Sequence, residues 1–344
     1  MGIVLGIESS CDETAAALVT TERTIIAQRI ASQIDEHAPY GGVVPEIAAR
    51  AHAEKLSPMI AQVMDEAGLE LDQLDAIAAT AGPGLIGGVM VGLVSAKALA
   101  MASNVPLIAI NHLEGHALSP RLADPALEFP YLLLLVSGGH CQILRVENVG
   151  QYRRLSTTID DALGEAFDKS AKILGLGYPG GPALEKLALQ GDPKGAALPR
   201  PLLGSKEPHF SFAGLKSAVM RAKESGAYRD EDIAASFQQA AIDCLIDRLK
   251  FSIAKSAPVS TLVVAGGVAA NNAIRTALET FAADQNMQFV APPLALCTDN
   301  AAMIAWAGAE RLASGQSDAL DFAARPRWPL DPDAEPVRGA GAKA

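Results

Sequence analysis

At 344 residues the chain is too long for one typical hydrophobic core, so two domains are the natural expectation. Apolar residues make up 49% and charged residues 19%, which excludes a disordered chain. The net charge of −11 argues against a stand-alone nucleic-acid binder that coats phosphates with basic side chains, but leaves room for a local basic patch or a partner. Cys11, Cys141, Cys244 and Cys297 are scattered with no C-x-x-C pair, as expected of free thiols in a reducing compartment. The N-terminus has no basic leader and turns acidic early, so no signal peptide is expected. No run of about 18 apolar residues is free of polar or turn breaks, so neither a membrane span nor a membrane partner is expected and the cytoplasm is the default location.

Residues 2–8 read as a buried strand, 9–13 (SSCDE) as a polar turn carrying Asp12 and Glu13, and 14–20 as a second strand. Such a hairpin has a small-residue tip that can approach a phosphate. A third strand is expected over 24–31, a loop over 39–45 and a helix over 46–68 ending at Gly68. Residues 75–81 read as a short buried strand. The glycine turn AGPGLIGG at 81–88 and a helix to residue 102 follow, a layout that can cradle a phosphate. It is not a Walker A sequence, because Lys97 lies too far along. Residues 106–110 form another strand that feeds the segment NHLEGHALSPRL, with Asn111 as N-cap and Pro120 as a plausible end.

Phe129-Pro130 marks the expected domain change. Residues 131–136, the turn SGGH, 141–146 and 152–156 repeat the opening plan of hairpin, small-residue tip and third strand. Helices are expected over 159–174, up to 190 after YPGGP, over 230–256 and over 298–313, with a Pro-rich loop over 191–212 and a short strand at 288–290. LVVAGGVAANN runs into a helix and echoes the earlier strand–glycine–helix unit. The chain therefore reads as two copies of a βββαβα plan. Two such lobes with glycine tips facing a nucleotide cleft resemble the α/β architecture of actin, hexokinase and the heat-shock-protein-70 ATPases, the actin-like ATPase or ribonuclease-H-like fold. The expected division is an N-terminal lobe over 1–128, a C-terminal lobe over 129–297, a helix region over 298–324 packing back on the first lobe, and a tail over 325–344 with little to bury.

His112 and His116 are four residues apart. At about 100° per residue they sit about 40° apart around a helix, so one divalent cation can reach both. Taken alone, H-x-x-x-H equally describes an ordinary helix with two polar histidines.

IESSCDET, AGPGLIGG, NHLEGHALSPRL, LLVSGGH, DDALGEAFDK, GYPGGP, FSFAGLK, AGGVAANN and CTDNAAM, nine motifs in order over residues 2–312, closely resemble the TsaD family. The resemblance implies transfer of a threonylcarbamoyl group from threonylcarbamoyl-AMP to N6 of the adenosine 3′ of the anticodon, in tRNAs reading codons that begin with A, with release of AMP. It implies one divalent metal, iron or zinc, held by His112, His116 and Asp299. It carries the adenine nucleotide's contacts to Leu135, Val136, Ser137, Gly138, Gly139, Asp168, Gly181, Glu185 and Asn271. Without the resemblance, Asp168 reads first as a surface partner of Lys172. Asp12, at the first tip, is assigned to orienting the nucleophile or taking its proton. A TsaB-type paralogue and a TsaE-type ATPase are the implied protein partners, and tRNA the substrate. Departures from the family pattern are Cys141 after SGGH, Asn272 after Asn271, and Glu185 in place of a shorter carboxylate.

Three other readings compete. A small-molecule kinase shares the architecture, but holds Mg²⁺ with carboxylates and phosphates rather than paired histidines. A zinc protease needs H-E-x-x-H, and here Glu114 is not beside the first histidine. A non-catalytic scaffold would be expected to have lost the ligand set.

Overall fold

The computed structural model describes residues 2–40 and 42–337. Gly41 of the expected 39–45 loop and the 338–344 end of the expected tail lie outside them. The described residues form two compact units.

In the first unit, β1 (Ile3–Glu8), β2 (Glu13–Thr20) and β3 (Ile25–Ser32) are followed by the short α1 (Ile34–His37) and the long α2 (Pro45–Ala67). Next come β4 (Ala76–Gly82), α3 (Ile86–Ser103), β5 (Leu107–Asn111) and α4 (His112–Ala123). The sheet order is β3-β2-β1-β4-β5, with β2 antiparallel to its neighbours and β4 parallel to both β1 and β5.

The second unit begins with β6 (Tyr131–Val136), β7 (Cys141–Asn148) and β8 (Gln151–Thr157). The helices α5 (Leu163–Ile173), α6 (Gly180–Ala188), α7 (Ala213–Ser225) and α8 (Asp230–Lys255) follow, then β9 (Thr261–Ala265), α9 (Asn272–Asp284) and β10 (Gln288–Val290). Its sheet order is β10-β9-β6-β7-β8, with β6 antiparallel to β7 and parallel to β9. Matching β6 to β1 makes the two sheets the same arrangement, so the duplicated α/β plan read from the sequence is the fold. Residues 292–332, with α10 (Ala301–Ala313), group with the first unit, as do residues 148–151.

The central strands are apolar without alternation because helices cover them: β4 and β6 are buried along their whole length. In the first unit α3 packs on β4, and α10 packs on β1, β2 and β4. The approach of α10 depends on Gly6 of β1. A Cβ there would lie 2.3 Å from the Ala301 carbonyl oxygen and 2.5 Å from the Ala305 nitrogen, so only glycine lets the helix backbone sit on the strand.

Several local expectations change. α4 runs through Pro120 to Ala123, because that residue is accommodated inside the helix without ending it. α10 begins at Ala301 rather than 298, capped by Asn300, whose side chain accepts from Met303 N at 2.9 Å. α7 occupies a stretch to which the spacing analysis assigns no element. The segment after Arg325 is irregular but not loose. Arg325 N donates to Ala81 O at 2.7 Å, Asn111 Nδ2 donates to Trp328 O at 3.0 Å, and Trp328 packs with Phe322 against Ala81, Leu93 and Ala109. Among the described residues one helix, α3, is long and apolar enough to cross a membrane. The glycines, Ser95 and Lys97 that read as breaks in the sequence do not interrupt it. Its face of Gly88, Val89, Gly92, Leu93, Ala96 and Ala100 is buried within the chain.

Candidate functional site

The first unit brings together the two histidines and the remote carboxylate. Asn111 caps α4 by accepting from Leu113 N at 2.9 Å, which fixes the first turn and aims His112 and His116 from one face. Their rings meet edge to face, 4.8 Å between centroids. Asp299 arrives from the turn just before α10. Its Oδ1 lies 3.0 Å from His116 Nε2 and 3.4 Å from His112 Nε2. One donor atom from each of the three residues falls within 4.8 Å of the others. Around a cation with bonds of about 2.0–2.1 Å, adjacent ligand atoms lie about 2.9–3.4 Å apart, so the two spacings to Asp299 suit a bound metal. Both histidines are buried, and Asp299 is the most accessible of the three.

A fourth residue completes this cluster. Glu8, at the end of β1, is fully buried. Its Oε2 accepts from His112 Nδ1 at 2.9 Å and from Thr80 Oγ1 at 2.6 Å, and its Oε1 accepts from Ser10 N at 2.6 Å. Burial pushes the Glu8 carboxyl up, but the positive His112 outweighs it and holds Glu8 below the usual carboxylate range. Burial equally disfavours a charged His112, yet the negative charges of Asp299 and Glu8 raise it well above the usual imidazole value. Asp299 is held well below its usual value, because the two histidines outweigh its burial. His116 is different: its Nδ1 is buried with no hydrogen-bond partner among the described residues.

Asp12 lies at the tip between β1 and β2, and its carbonyl accepts from Gln33 N at 3.0 Å. Its neighbour Glu13 is pushed up to about 10, first by burial and then by the negative charge of Asp299 and Asp12. Glu13 is therefore protonated at neutral pH and donates to Asp12. Acidic groups thus gather beside the histidine pair.

The glycines of AGPGLIGG have a different use from the expected phosphate cradle. A Cβ on Gly88 would lie 2.3 Å from Ser9 O, and Leu85 N donates to Ser10 O at 2.8 Å. They let the start of α3 sit directly on the SSCDE tip.

In the second unit, Leu135 and Val136 are fully buried in β6, so only their main chain is available to a ligand. Ser137 closes the following turn: its N donates to His140 O at 2.8 Å, and its Oγ accepts from His140 N at 3.1 Å. Gly138 and Gly139 are exposed at the tip, and a Cβ on either would meet nothing within 4 Å. Asp168 on α5 accepts from Gly180 N at 2.9 Å and Gly181 N at 3.2 Å, capping the start of α6. Glu185, one turn along α6, accepts from Asn272 N at 2.7 Å. Asn271 caps α9 by accepting from Ile274 N at 2.9 Å and donates through Nδ2 to Gln238 Oε1 at 3.0 Å. These polar groups converge where α5, α6 and α9 meet, each with a bond inside the protein. Cys141 is fully buried in β7, and burial pushes its thiol up, so it packs as an inert side chain.

Residues 24–306 match the family model described as TsaD, tRNA N6-adenosine threonylcarbamoyltransferase. The chain belongs to the TsaD family. A tRNA N6-adenosine threonylcarbamoyltransferase of Erythrobacter litoralis is 78% identical over 100% of both chains. One of Novosphingobium aromaticivorans is 72% identical over 100% of both, and one of Zymomonas mobilis 65% identical over 100% of this chain and 96% of its own. This membership makes the chain a transferase. Among solved structures, component A of the Acidaminococcus fermentans (R)-2-hydroxyglutaryl-CoA dehydratase aligns with a TM-score of 0.55 at 17% identity, over 91% of this chain and 100% of that one. Full-length HypF aligns with a TM-score of 0.61 at 12% identity, over 91% of this chain and 46% of that one. These two likenesses bear on the fold, which is actin-like.

For this TsaD-family chain, sequence reasoning singled out Asp12 and the histidines and Asp299 that the fold brings together, but passed over Glu8, Ser10 and Thr80. One signal was available: Glu8 ends an otherwise apolar buried strand, and a buried carboxylate requires a partner.

Proposed function

We propose that the chain transfers the threonylcarbamoyl group from threonylcarbamoyl-AMP to N6 of the adenosine 3′ of the anticodon, in tRNAs reading codons that begin with A, releasing AMP. The convergence of His112, His116 and Asp299 in a chain whose full-length relatives bear that transferase name is the observation that carries the reading. These three residues would hold one iron or zinc ion, leaving coordination positions open on the more accessible Asp299 side. When bound, such an ion supplies Lewis-acid polarisation of a carbonyl or phosphoryl oxygen.

The chain's own residues have separate tasks. Asp12 orients the attacking N6 or takes its proton, supported by its position on the tip beside the acidic cluster. Gly138 and Gly139 offer main-chain N–H groups to a phosphate or carbamoyl oxygen, with Leu135, Val136 and Ser137 fixing the turn that presents them. Asp168, Gly181, Glu185 and Asn271 frame the nucleoside part of the adenylate. The internal bonds of Asp168, Glu185 and Asn271 give them fixed orientations, so their contribution is a shaped, polar wall with the remaining lone pairs facing the ligand. A TsaB-type paralogue and a TsaE-type ATPase complete the working assembly.

The test is a transfer assay with threonylcarbamoyl-AMP and tRNA, run beside elemental analysis of the purified protein. Wild type is expected to modify tRNA and to contain about one equivalent of metal per chain, as one tridentate set predicts. His112→Ala is expected to lose both. Undiminished transfer by His112→Ala, or ATP-dependent phosphorylation of a small molecule with no action on tRNA, would overturn the reading.

A further inference from the structure

We propose that Glu8 is a positioning residue for the cation: it accepts the Nδ1 proton of His112 and so fixes that imidazole with Nε2 as the donor toward Asp299. The inference rests on the assignment of His112, His116 and Asp299 as ligands. It concerns a residue that is no ligand itself.

The geometry determines the tautomer. His112 Nδ1 faces Glu8 Oε2 at 2.9 Å and Ser10 Oγ at 3.2 Å. An ionised carboxylate only accepts hydrogen bonds, so Nδ1 must carry the proton. Nε2, 3.4 Å from Asp299 Oδ1, is then the nitrogen that gives up its proton to take a metal. Glu8 is itself immobilised: Thr80 Oγ1 shares Oε2 at 2.6 Å, and Ser10 N holds Oε1 at 2.6 Å. Both donors come from other parts of the first unit, β4 and the β1–β2 tip, so the carboxylate plane is set before any metal arrives. His116 has no counterpart to this arrangement, since its Nδ1 is without a partner among the described residues. The pair is therefore asymmetric: the Nδ1 side of His112 is locked by a carboxylate, whereas His116 is bonded only through Nε2, to Asp299 at 3.0 Å. A carboxylate behind a ligating histidine raises the ligand's basicity and fixes its ring plane, and its loss typically weakens metal binding about 10- to 100-fold.

Glu8→Gln keeps the volume and removes only the acceptor symmetry. Whichever end the amide NH₂ takes, it faces a donor. It either opposes Ser10 N–H or forces the His112 proton from Nδ1 to the ligating Nε2. Zinc affinity, measured by competition with a chelating dye, is expected to fall about 10- to 100-fold in Glu8→Gln. The thermal unfolding midpoint of the zinc-free protein is expected to fall as well, because a buried charge loses its partner, so affinities are compared at a temperature where both proteins are folded. Thr80→Val, which removes a support of Glu8 but leaves the Glu8–His112 bond, is expected to lose less. Zinc affinity equal to wild type in a folded Glu8→Gln overturns the proposal. So does Thr80→Val losing as much as Glu8→Gln, which would mean that general loosening of the strand end is responsible.

Should Glu8→Gln fail to fold, ring-nitrogen NMR of the histidine-labelled wild type decides the matter. Nδ1 of His112 is expected to be protonated and Nε2 to shift on adding zinc; the reverse pattern overturns the proposal. A wild type that binds no zinc, or a His112→Ala protein that binds it equally well, removes the ligand assignment and this inference with it. Normal His112-dependent zinc binding with an unaffected Glu8→Gln removes only the role of Glu8.

Discussion

His52 on α2 is buried behind the tip that carries Asp12. Its Nε2 lies 3.0 Å from the Cys11 carbonyl oxygen, which can only accept, so Nε2 bears the proton. Its Nδ1 then accepts from Thr14 Oγ1 at 2.8 Å, and Gln33 Nε2 stands 3.3 Å away. Gln33 Oε1 in turn accepts from His37 Nε2 at 3.1 Å. With one ring nitrogen donating and the other accepting, His52 uses the neutral form of its imidazole. Burial lowers the His52 pKa, with the Cys11 carbonyl and nearby carboxylates only partly offsetting it. A histidine whose folded pKa is depressed costs nothing at high pH, where it is neutral in both states. As pH falls below the unfolded value of about 6.5, the unfolded chain takes up the proton first and the folded state loses stability, until the folded pKa is passed. Glu13 and His112, both raised in the folded state, act in the opposite sense over the same window, so the His52 share is read as a difference: the change in stability between pH 7.5 and pH 5.5, measured by urea unfolding, is expected to be more unfavourable in wild type than in His52→Gln. Equal changes in both proteins would mean that other groups set the pH dependence.

At the scale of elements, the centre depends on where α10 sits, because Asp299 lies in the turn that leads into it. Gly6→Ala would put a methyl group into the Ala301 carbonyl, and the helix must retreat. Overpacking of this kind costs about 1–3 kcal/mol, so a lower unfolding midpoint is expected by calorimetry. Asp299 would also be drawn from the histidines, and zinc affinity should fall together with stability. Stability loss with intact zinc binding would show that the turn adjusts independently of the helix.

The duplicated βββαβα plan was legible in the sequence because hairpins with small-residue tips and strand–glycine–helix units both recur. The histidine helix was legible from H-x-x-x-H and the cap at Asn111. Other features depend on tertiary packing and escaped notice. Gly88 looked like a phosphate turn because a glycine required by a neighbouring backbone and one required by an anion look alike in a sequence. Pro120 looked like a helix end, since a proline tolerated inside a helix has no separate local mark. α7 begins after FSF with little capping signal, and its N-cap Phe212 makes no side-chain cap bond. Glu8 needed the third dimension: its partners Thr80 and His112 stand 72 and 104 residues away.

For the whole molecule the outstanding problem is charge. A chain at −11 has to handle a polyanionic tRNA, and a single acidic protein gains little from counterion release. The TsaB-type partner proposed above answers this if it pairs with the chain and supplies part of the basic surface. α3 offers it a face. On the side turned away from β4 it exposes Ile86, Met90, Val94 and Met101, between 47% and 70% accessible. The first three are spaced one turn apart and form a continuous apolar stripe. A stripe of that kind is the sort of surface another helix covers. Met90→Glu combined with Val94→Glu is expected to abolish co-purification of the two proteins while leaving zinc content and the unfolding midpoint of the chain alone unchanged. tRNA binding by the mixture should then fall to that of the isolated chain in filter-binding titrations at fixed salt. Retained pairing in the double variant would move the interface elsewhere on the chain. tRNA binding by the unpaired wild type as tight as that of the mixture would dispose of the need for a partner in recognising RNA.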